Sequence, residues 1–277
     1  MEKIGVAIVT FNRLDFLQIC LDKISKQTYK NYDIVVVDNN STDGTKEFLL
    51  SHDFPQVHLP ENTGPAGGFH EAIKFYLEKD GYDYLWLMDD DVFPANDCLE
   101  QLVNAAEENK LVYPYIRNKA CQTLWFPGWS GFLLPVKIAH QAGLPNRDLF
   151  FWSEDTEYIQ HRIGDKLDCK IKWVPKAKVV HFTSKSSKKK AWLYYYQVRN
   201  MLYVLLYVKD FTAFRMYKLI KNWSKLLGAI IIKENNKAEK LEWFLRGTVH
   251  GVTKKLGKTI DPHVGKGKNS SHYKVSR

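Results

Sequence analysis

The acidic side chains most able to do chemistry in this chain are bunched in two places. Three aspartates, Asp89-Asp90-Asp91, close an apolar run from Tyr84 to Met88, and Glu154-Asp155-Thr156-Glu157 form a second group upstream of His181. Adjacent carboxylates repel one another, which raises at least one pKa unless a cation or hydrogen-bond donors neutralise them. Hard oxygen ligands suit Mg2+ or Mn2+, ions that complete their shells with water and substrate phosphates. At a strand end, alternation turns Asp89 and Asp91 one way and Asp90 aside, although a solvated acidic turn has the same letters. His181 follows the strand-like Lys178-Val179-Val180, where an imidazole can complete a metal shell; a lone histidine is more often structural. Asp155 is placed to take a proton from a hydroxyl nucleophile, with Phe151 and Trp152 as a sugar-binding wall. Acids in a first helical turn also serve as partners of the helix dipole. Together these groups point to metal-assisted chemistry on a phosphorylated substrate.

The elements that must position them follow from periodicity. Gly5 to Val9 reads as a buried strand, and Leu17, Cys20, Leu21 and Ile24 follow at helical spacing. Ile34 to Val37, Val57 to Leu59 and Tyr84 to Met88 read as three more strands, with helices after Ser41-Thr42-Asp43, on Phe69, Ala72, Ile73 and Tyr76, and on Leu99, Leu102, Val103 and Ala106. A short helix opens at Glu154, with Ser153 as cap, and stops near Gly164. This βαβα order predicts an α/β fold with a mostly parallel sheet, whose ligands sit at the carboxyl ends of the strands. Each such end is polar: Thr10, Asn12 and Arg13; Asp38, Asn39, Asn40 and Ser41; Asn62 and Gly64; then the three aspartates. The first turn lacks the glycines of a dinucleotide fold. Gly67 and Gly68 instead follow the third strand, where they either bring backbone amides close to a phosphate or sugar or make a tight turn of positive φ.

Composition is that of a globular protein of 277 residues. Cys20, Cys98, Cys121 and Cys169 form no C-x-x-C pair, which signals neither a zinc cluster nor a disulfide framework. The N-terminus is too short and too lightly basic for a signal peptide, and no apolar run is long enough to span a bilayer. Charge divides sharply. Residues 1 to 184 hold 19 Lys/Arg against 26 Asp/Glu, a net of −7, and residues 185 to 277 hold 21 against 5, a net of +16.

The set Thr10-Phe11-Asn12-Arg13, Val37-Asp38-Asn39-Asn40-Ser41-Thr42-Asp43-Gly44, Asn62-Thr63-Gly64-Pro65-Ala66-Gly67-Gly68-Phe69, Asp89-Asp90-Asp91, Glu154-Asp155-Thr156-Glu157 and His181 resembles the family 2 inverting glycosyltransferases. It does so in order over roughly residues 3 to 184. The resemblance implies a GT-A fold, Rossmann-like, with a C-terminal helical appendage. It implies that Thr10, Asn12, Arg13 and Asp38 hold the nucleoside, Asp38 accepting from the base, and that Asn40, Asn62, Gly67, Gly68, Asp89 and Asp90 complete the nucleotide-sugar contacts. It further implies that Asp89, Asp91 and His181 bind Mn2+ or Mg2+, and that Asp155 is the catalytic base beside Glu154. Gly67-Gly68-Phe69 and Trp152 look most like the galactofuranosyl and rhamnosyl branch; Ser153, inserted between Trp152 and the acidic pair, departs from it. The expected donor is a nucleoside-diphosphate sugar, UDP-galactofuranose ahead of dTDP-rhamnose. The expected acceptor is a glycan or lipid-linked sugar in cell-surface polysaccharide synthesis, met by Trp129, Trp152 and Glu157. Trp129 belongs to an aromatic, glycine-punctuated segment, Trp125 to Gly131, that can stack on sugars or pack in the core.

The sequence divides into a catalytic domain over 1–184, a basic helical region over 185–262 and a tail over 263–277 expected to be mobile. Trp192 to Leu206, Phe214 to Ile232 and Leu241 to Val252 carry helical spacing among lysines. Such helices suit an anionic membrane surface or packing on the catalytic domain or on a second subunit. Arg199-Asn200 sit where a helix could reach back to the acceptor. The expected location is cytoplasmic and peripheral on the inner face of the cell membrane, with homo-oligomers formed through the C-terminal helices. A basic tail also fits a nucleic-acid-binding protein, but the acidic half and the lack of a recognised motif argue for no nucleic acid. A non-catalytic sugar-nucleotide-binding scaffold is the remaining rival.

Overall fold

The structure is a computed structural model and describes residues 1–118, 123, 128–182, 189–210 and 212–260. Cys121, Trp125, Phe126, Pro127 and the tail expected over 263–277 lie outside the described residues. The chain forms two compact units, one of Met1–Phe150 with Glu154–Lys185 and one of Phe151–Ser153 with Ser186–Arg277.

The first unit is built on an eight-stranded sheet. Its strands are β1 (Ile4–Thr10), β2 (Tyr32–Asp38), β3 (Gln56–His58), β4 (Tyr84–Asp89), β5 (Val92–Pro94), β6 (Lys110–Asn118), β7 (Ser130–Pro135) and β8 (Lys170–His181), in the order β3-β2-β1-β4-β7-β6-β8-β5. The four strands read from the sequence form the parallel half. β1 lies between β2 and β4 with Thr10 level with Asp38 and Val9 level with Asp89, and His58 of β3 is level with Asp38. Parallel strands in step end in step, so their polar carboxyl ends share one edge. Helices α1 (Leu14–Ser25), α2 (Thr45–Leu50), α3 (Gly64–Leu77), α4 (Cys98–Asn104) and α5 (Val136–Ala142) complete this unit with an unusual π-helix over Thr156–Lys166. Buried residues form a cluster on each face of the sheet: Phe69, Ile73, Leu85 and Leu87 in one, Leu17, Ile24, Trp86 and Leu99 in the other.

The other half of the sheet, which the sequence reading left largely unassigned, is mixed. β7 runs antiparallel between β4 and β6, and β6 runs parallel to β8. β8 is much longer than its strand-like end at Lys178-Val179-Val180, and the short β5 pairs antiparallel with it, setting Val92 opposite His181. A turn of strand straight after the aspartates therefore carries them to the histidine.

The second unit is helical: α6 (Ala191–Tyr203), which widens into a π-turn over Val204–Val208, then α7 (Ala213–Lys233) and α8 (Lys237–Val252). A Cβ at Gly247 or Gly251 would fall 2.5 Å from Tyr195 O or 2.6 Å from Arg199 O, so these glycines are what lets α6 and α8 lie so close. Tyr194, Val198, Leu219, Ile230 and Phe244 form its core. Arg199 and Asn200 are fully buried here. The Asn200 amide donates to Phe151 O at 2.9 Å and Trp152 O at 2.6 Å, and Arg199 donates to Gly257 O at 2.7 Å. Arg199 also donates to Asn200 Oδ1 at 2.8 Å, so both side chains are bonded within this unit.

Candidate active site

The aspartate triplet is fastened by its backbone to three strands. Asp89 N–H donates to Trp129 O (3.0 Å) before β7, Asp90 N–H to Val9 O (3.2 Å) of β1, and Phe182 N–H to Asp91 O (2.8 Å) after β8. The side chains divide as alternation predicts. Asp90 turns inward, accepting from Thr10 Oγ1 at 2.7 Å and Arg13 at 3.2 Å. Burial pushes its pKa up to about 6, with Asp91 adding to the rise and Arg13 and Thr10 opposing it. Asp91 accepts from Arg13 at 2.8 Å through Oδ2, while its buried Oδ1 has no hydrogen-bond partner although His181 Nε2 lies 3.1 Å away. Burial raises the Asp91 pKa, but His181 and Arg13 more than offset this and hold it below the ordinary value. Burial, then the charges of Asp91 and Asp90, push Asp89 well up, and Glu154 adds to the rise.

Ligand atoms of Asp89, Asp91 and His181 all lie within 4.8 Å of one another. A buried carboxylate oxygen 3.1 Å from an imidazole nitrogen, a second carboxylate that burial and repulsion keep from ionising, and an imidazole whose other nitrogen is 3.2 Å from Ser130 Oγ fit a hard divalent cation. The Gly128–Ser130 segment, which leads into β7, meets Asp89, His181 and Asp155. Trp129 O receives Asp89, Ser130 meets His181, and a Cβ at Gly128 would lie 3.1 Å from Asp155 Oδ2. Asp155 thus faces the same turn as the candidate cation ligands. Its Oδ1 accepts from Thr156 N–H at 2.6 Å as the cap of the π-helix. Burial raises its pKa, and the Thr156 bonds offset only part of the rise.

The loops after β1 to β3 are knitted to one another. Asn12, at φ 51°, accepts from Thr42 N–H at 2.7 Å, and its own N–H donates to Ser41 Oγ at 2.9 Å. Buried Asp38 accepts from Ser41 N–H at 3.0 Å, with His58 Nδ1 at 3.2 Å from its other oxygen. Asn40 is exposed at φ 65°, and Asn62 accepts from Gly64 N–H at 2.8 Å.

The family model of glycosyl transferase family 2 matches residues 5–160. The chain belongs to glycosyl transferase family 2. It is 32% identical over 122 residues to the galactofuranosyltransferase GlfT1 of Mycolicibacterium smegmatis, covering 42% of this chain and 40% of that protein. It is 29% identical over 116 residues to the poly(ribitol-phosphate) beta-glucosyltransferase of Bacillus spizizenii, covering 39% and 18%. The chain thus spans less than half the length of the curated relatives it matches. Among solved structures, S. aureus TarS 1-349 in complex with UDP aligns with a TM-score of 0.63 at 15% identity, over 91% of this chain and 82% of that one. The mannosyltransferase PcManGT from Pyrobaculum calidifontis, in complex with GDP-Man and Mn2+, aligns with a TM-score of 0.55 at 15% identity over 91% and 86%. At such identities these structures establish the fold, which is GT-A.

Within this family 2 chain several expected contacts are internal. Thr10 donates its hydroxyl to Asp90, which also accepts from Arg13, and Thr10 and Asp90 are both buried. Gly67 and Gly68 do not turn the chain by a positive φ. A Cβ at Gly67 would lie 2.1 Å from Thr63 Oγ1 and one at Gly68 2.4 Å from Val9 Cγ1, so both are packing glycines, and the positive φ belongs to Gly64 at 69°. Nor is the start of α3 open to a phosphate: Gly64 N–H goes to Asn62, Ala66 N–H to Phe150 O, Gly67 N–H to Thr63 O, and Pro65 has none. Trp129 is buried and stacks on Phe69 with centroids 4.0 Å apart, so it is a core residue rather than an acceptor platform. Glu157 is buried too, paired with Arg162 Nε at 2.6 Å; the i to i+5 closure of a π-helix turns the two together. Trp152 remains exposed, at φ 74° beside Ser153 at φ 70°, a backbone conformation that non-glycine residues adopt at a cost. Sequence reading passed over His58, and it named Asn39 only as one of the polar strand ends and Gly128 and Ser130 only within the aromatic segment. The amide of Asn39 donates to Gly64 O at 2.8 Å and accepts from Thr63 N–H at 2.8 Å, tying the second loop to the third. Only the two small residues flanking Trp129 carried a signal for the turn, and it was read as part of the aromatic segment.

Proposed function

We propose that the chain transfers a sugar, with inversion, from a nucleoside-diphosphate donor to a glycan or lipid-linked acceptor in cell-surface polysaccharide synthesis. The observation that carries this is the convergence of Asp89, Asp91 and His181 on the turn that also faces Asp155. Asp89, Asp91 and His181 would hold Mn2+ or Mg2+, which when bound offsets negative charge on a departing nucleoside diphosphate. Arg13, held by Asp90 and Asp91, keeps a positive charge beside them. Asp155 takes the proton of the acceptor hydroxyl, and a raised pKa makes it a stronger base than an ordinary carboxylate. Single displacement on the face opposite the leaving group then inverts the anomeric centre, with no covalent enzyme intermediate.

UDP is the favoured nucleotide, since TarS is seen with UDP and with UDP-GlcNAc; PcManGT carries GDP-Man and Mn2+, which supports the cation. Galactofuranose is the favoured sugar, by likeness to GlfT1. Asn12, Asp38, Asn40 and Asn62 are proposed at the nucleotide, and exposed Trp152 at the acceptor. In the same reading the protein works peripherally on a membrane: no helix among the described residues is long and apolar enough to cross one, and residues 185 to 277 carry the net +16. Calorimetric titration with UDP and dTDP, each with Mn2+ and with chelator, tests the donor site. Mn2+-dependent binding of UDP is expected. Binding of dTDP instead would move the donor to a rhamnose class, and binding of neither would overturn the enzymatic reading.

A further inference from the structure

Helix α7 has two apolar sides, and the protein covers one of them. Leu219 and Ile230 are buried with Trp223, Leu226 and Leu227 packed around them, and Trp223 Nε1 donates to Thr248 Oγ1 at 3.0 Å. Phe214, Tyr217, Ile220, Ile231 and Ile232 lie outside, from 53% exposed at Ile231 to 76% at Ile232. Steps of three, eleven and eighteen residues return to one side of a helix of 3.6 residues per turn, so these five form a stripe. Scattered exposed apolar residues need no explanation, but a stripe along a helix of 21 residues does.

The charge on α7 says what covers it. The helix carries Arg215, Lys218, Lys221, Lys225 and Lys233 and no acidic residue. Lys218 Nζ lies 4.5 Å from the centroid of the Phe214 ring and Lys221 Nζ 5.8 Å from that of Tyr217, so two of the cations line the stripe itself. A second copy of the same face would bring like charges together. Apolar side chains flanked by lysines with aliphatic stems suit the boundary between acyl chains and anionic headgroups, and the lysines deny the helix a path across the bilayer.

We propose that the outer face of α7 is a docking surface for an anionic lipid bilayer, the helix lying in the plane of the interface with Phe214, Tyr217, Ile220, Ile231 and Ile232 inserted and Lys218, Lys221 and Lys225 on the headgroups. This rests on the peripheral placement proposed above and names the surface that performs it.

Flotation of the full chain with vesicles of phosphatidylcholine alone, or mixed with phosphatidylglycerol, tests it. The wild-type chain is expected on the mixed vesicles and not on the neutral ones. The Tyr217→Ser, Ile220→Ser, Ile231→Ser triple variant alters exposed side chains only and is expected to lose at least tenfold in partition. Lys218→Glu, Lys221→Glu, Lys225→Glu is expected to lose about 100-fold. Both variants should keep the circular dichroism of the parent and its titration with UDP and Mn2+. Variants that float as well as wild type would overturn the α7 assignment while leaving a peripheral protein. A wild-type chain that binds neither vesicle would overturn the peripheral reading with it. Sedimentation as a dimer that the serine variant dissolves would give the face to a second copy and overturn the bilayer.

Discussion

Asp155 is a carboxylate whose surroundings make it reluctant to ionise, and that has a kinetic consequence. As the proposed base it works only when deprotonated, so kcat/KM should fall as pH drops through its pKa. Because burial raises that pKa, the acid limb of the profile should lie above the ordinary aspartate range near about 3.9. Asp155→Asn should remove the limb and lower kcat by roughly 10²–10⁴ while leaving donor titration within a few-fold of wild type; equal loss of donor binding would deny it the role of base. Gly68 is a residue of a different kind. The Val9 methyl that would meet its Cβ at 2.4 Å belongs to a central strand, so Gly68→Ala should cost about 1–3 kcal/mol. Thermal denaturation reads the cost, and an unchanged melt would mean α3 can shift without penalty.

At the scale of elements, the loops rather than the strands set the site's precision. Asn39 bridges the second and third loops with three hydrogen bonds from a buried side chain, to Gly64 O and from the Thr63 amide and hydroxyl. Asn39→Ala strands those groups and should destabilise the fold by about 1–3 kcal/mol. Its donor affinity should weaken as Asn62 and the α3 start lose their anchor, measured by melts and by UDP titration. The parallel half of the sheet was legible because its strands are short, apolar and punctuated, and the resemblance supplied the order of the polar ends. β6 and most of β8 were not. β8 alternates exposed lysines and buried residues and carries Pro175 within a register shift of its pairing with β6, so neither an apolar run nor unbroken alternation marks it. The glycines of α3 were legible as special but not in their purpose, because a sequence does not say which neighbour fills the space of a missing Cβ. Trp129 was read as an acceptor platform, and its burial and stacking on Phe69 put it in the core instead.

At the scale of the whole molecule, cation binding and folding are linked. A cation that binds the folded arrangement of Asp89, Asp91 and His181, and not the unfolded chain, stabilises by about 2.7 kcal/mol at a hundred times its Kd. Scanning calorimetry at neutral pH should show a Tm raised by several degrees with Mn2+, and Asp91→Ala should abolish the rise; a variant that still responds would put the cation elsewhere.

The place of β8 in the sheet orders these events in time. Among the described residues β5 pairs only with β8, and β8 brings His181 to Asp91. As the chain leaves the ribosome, the half of the sheet around β1 can close once Tyr84–Asp89 has emerged, yet β5 waits without a partner until residues 170–181 are made. A nascent chain stalled before that point holds the carboxyl ends of the parallel strands but not the His181 that meets Asp91.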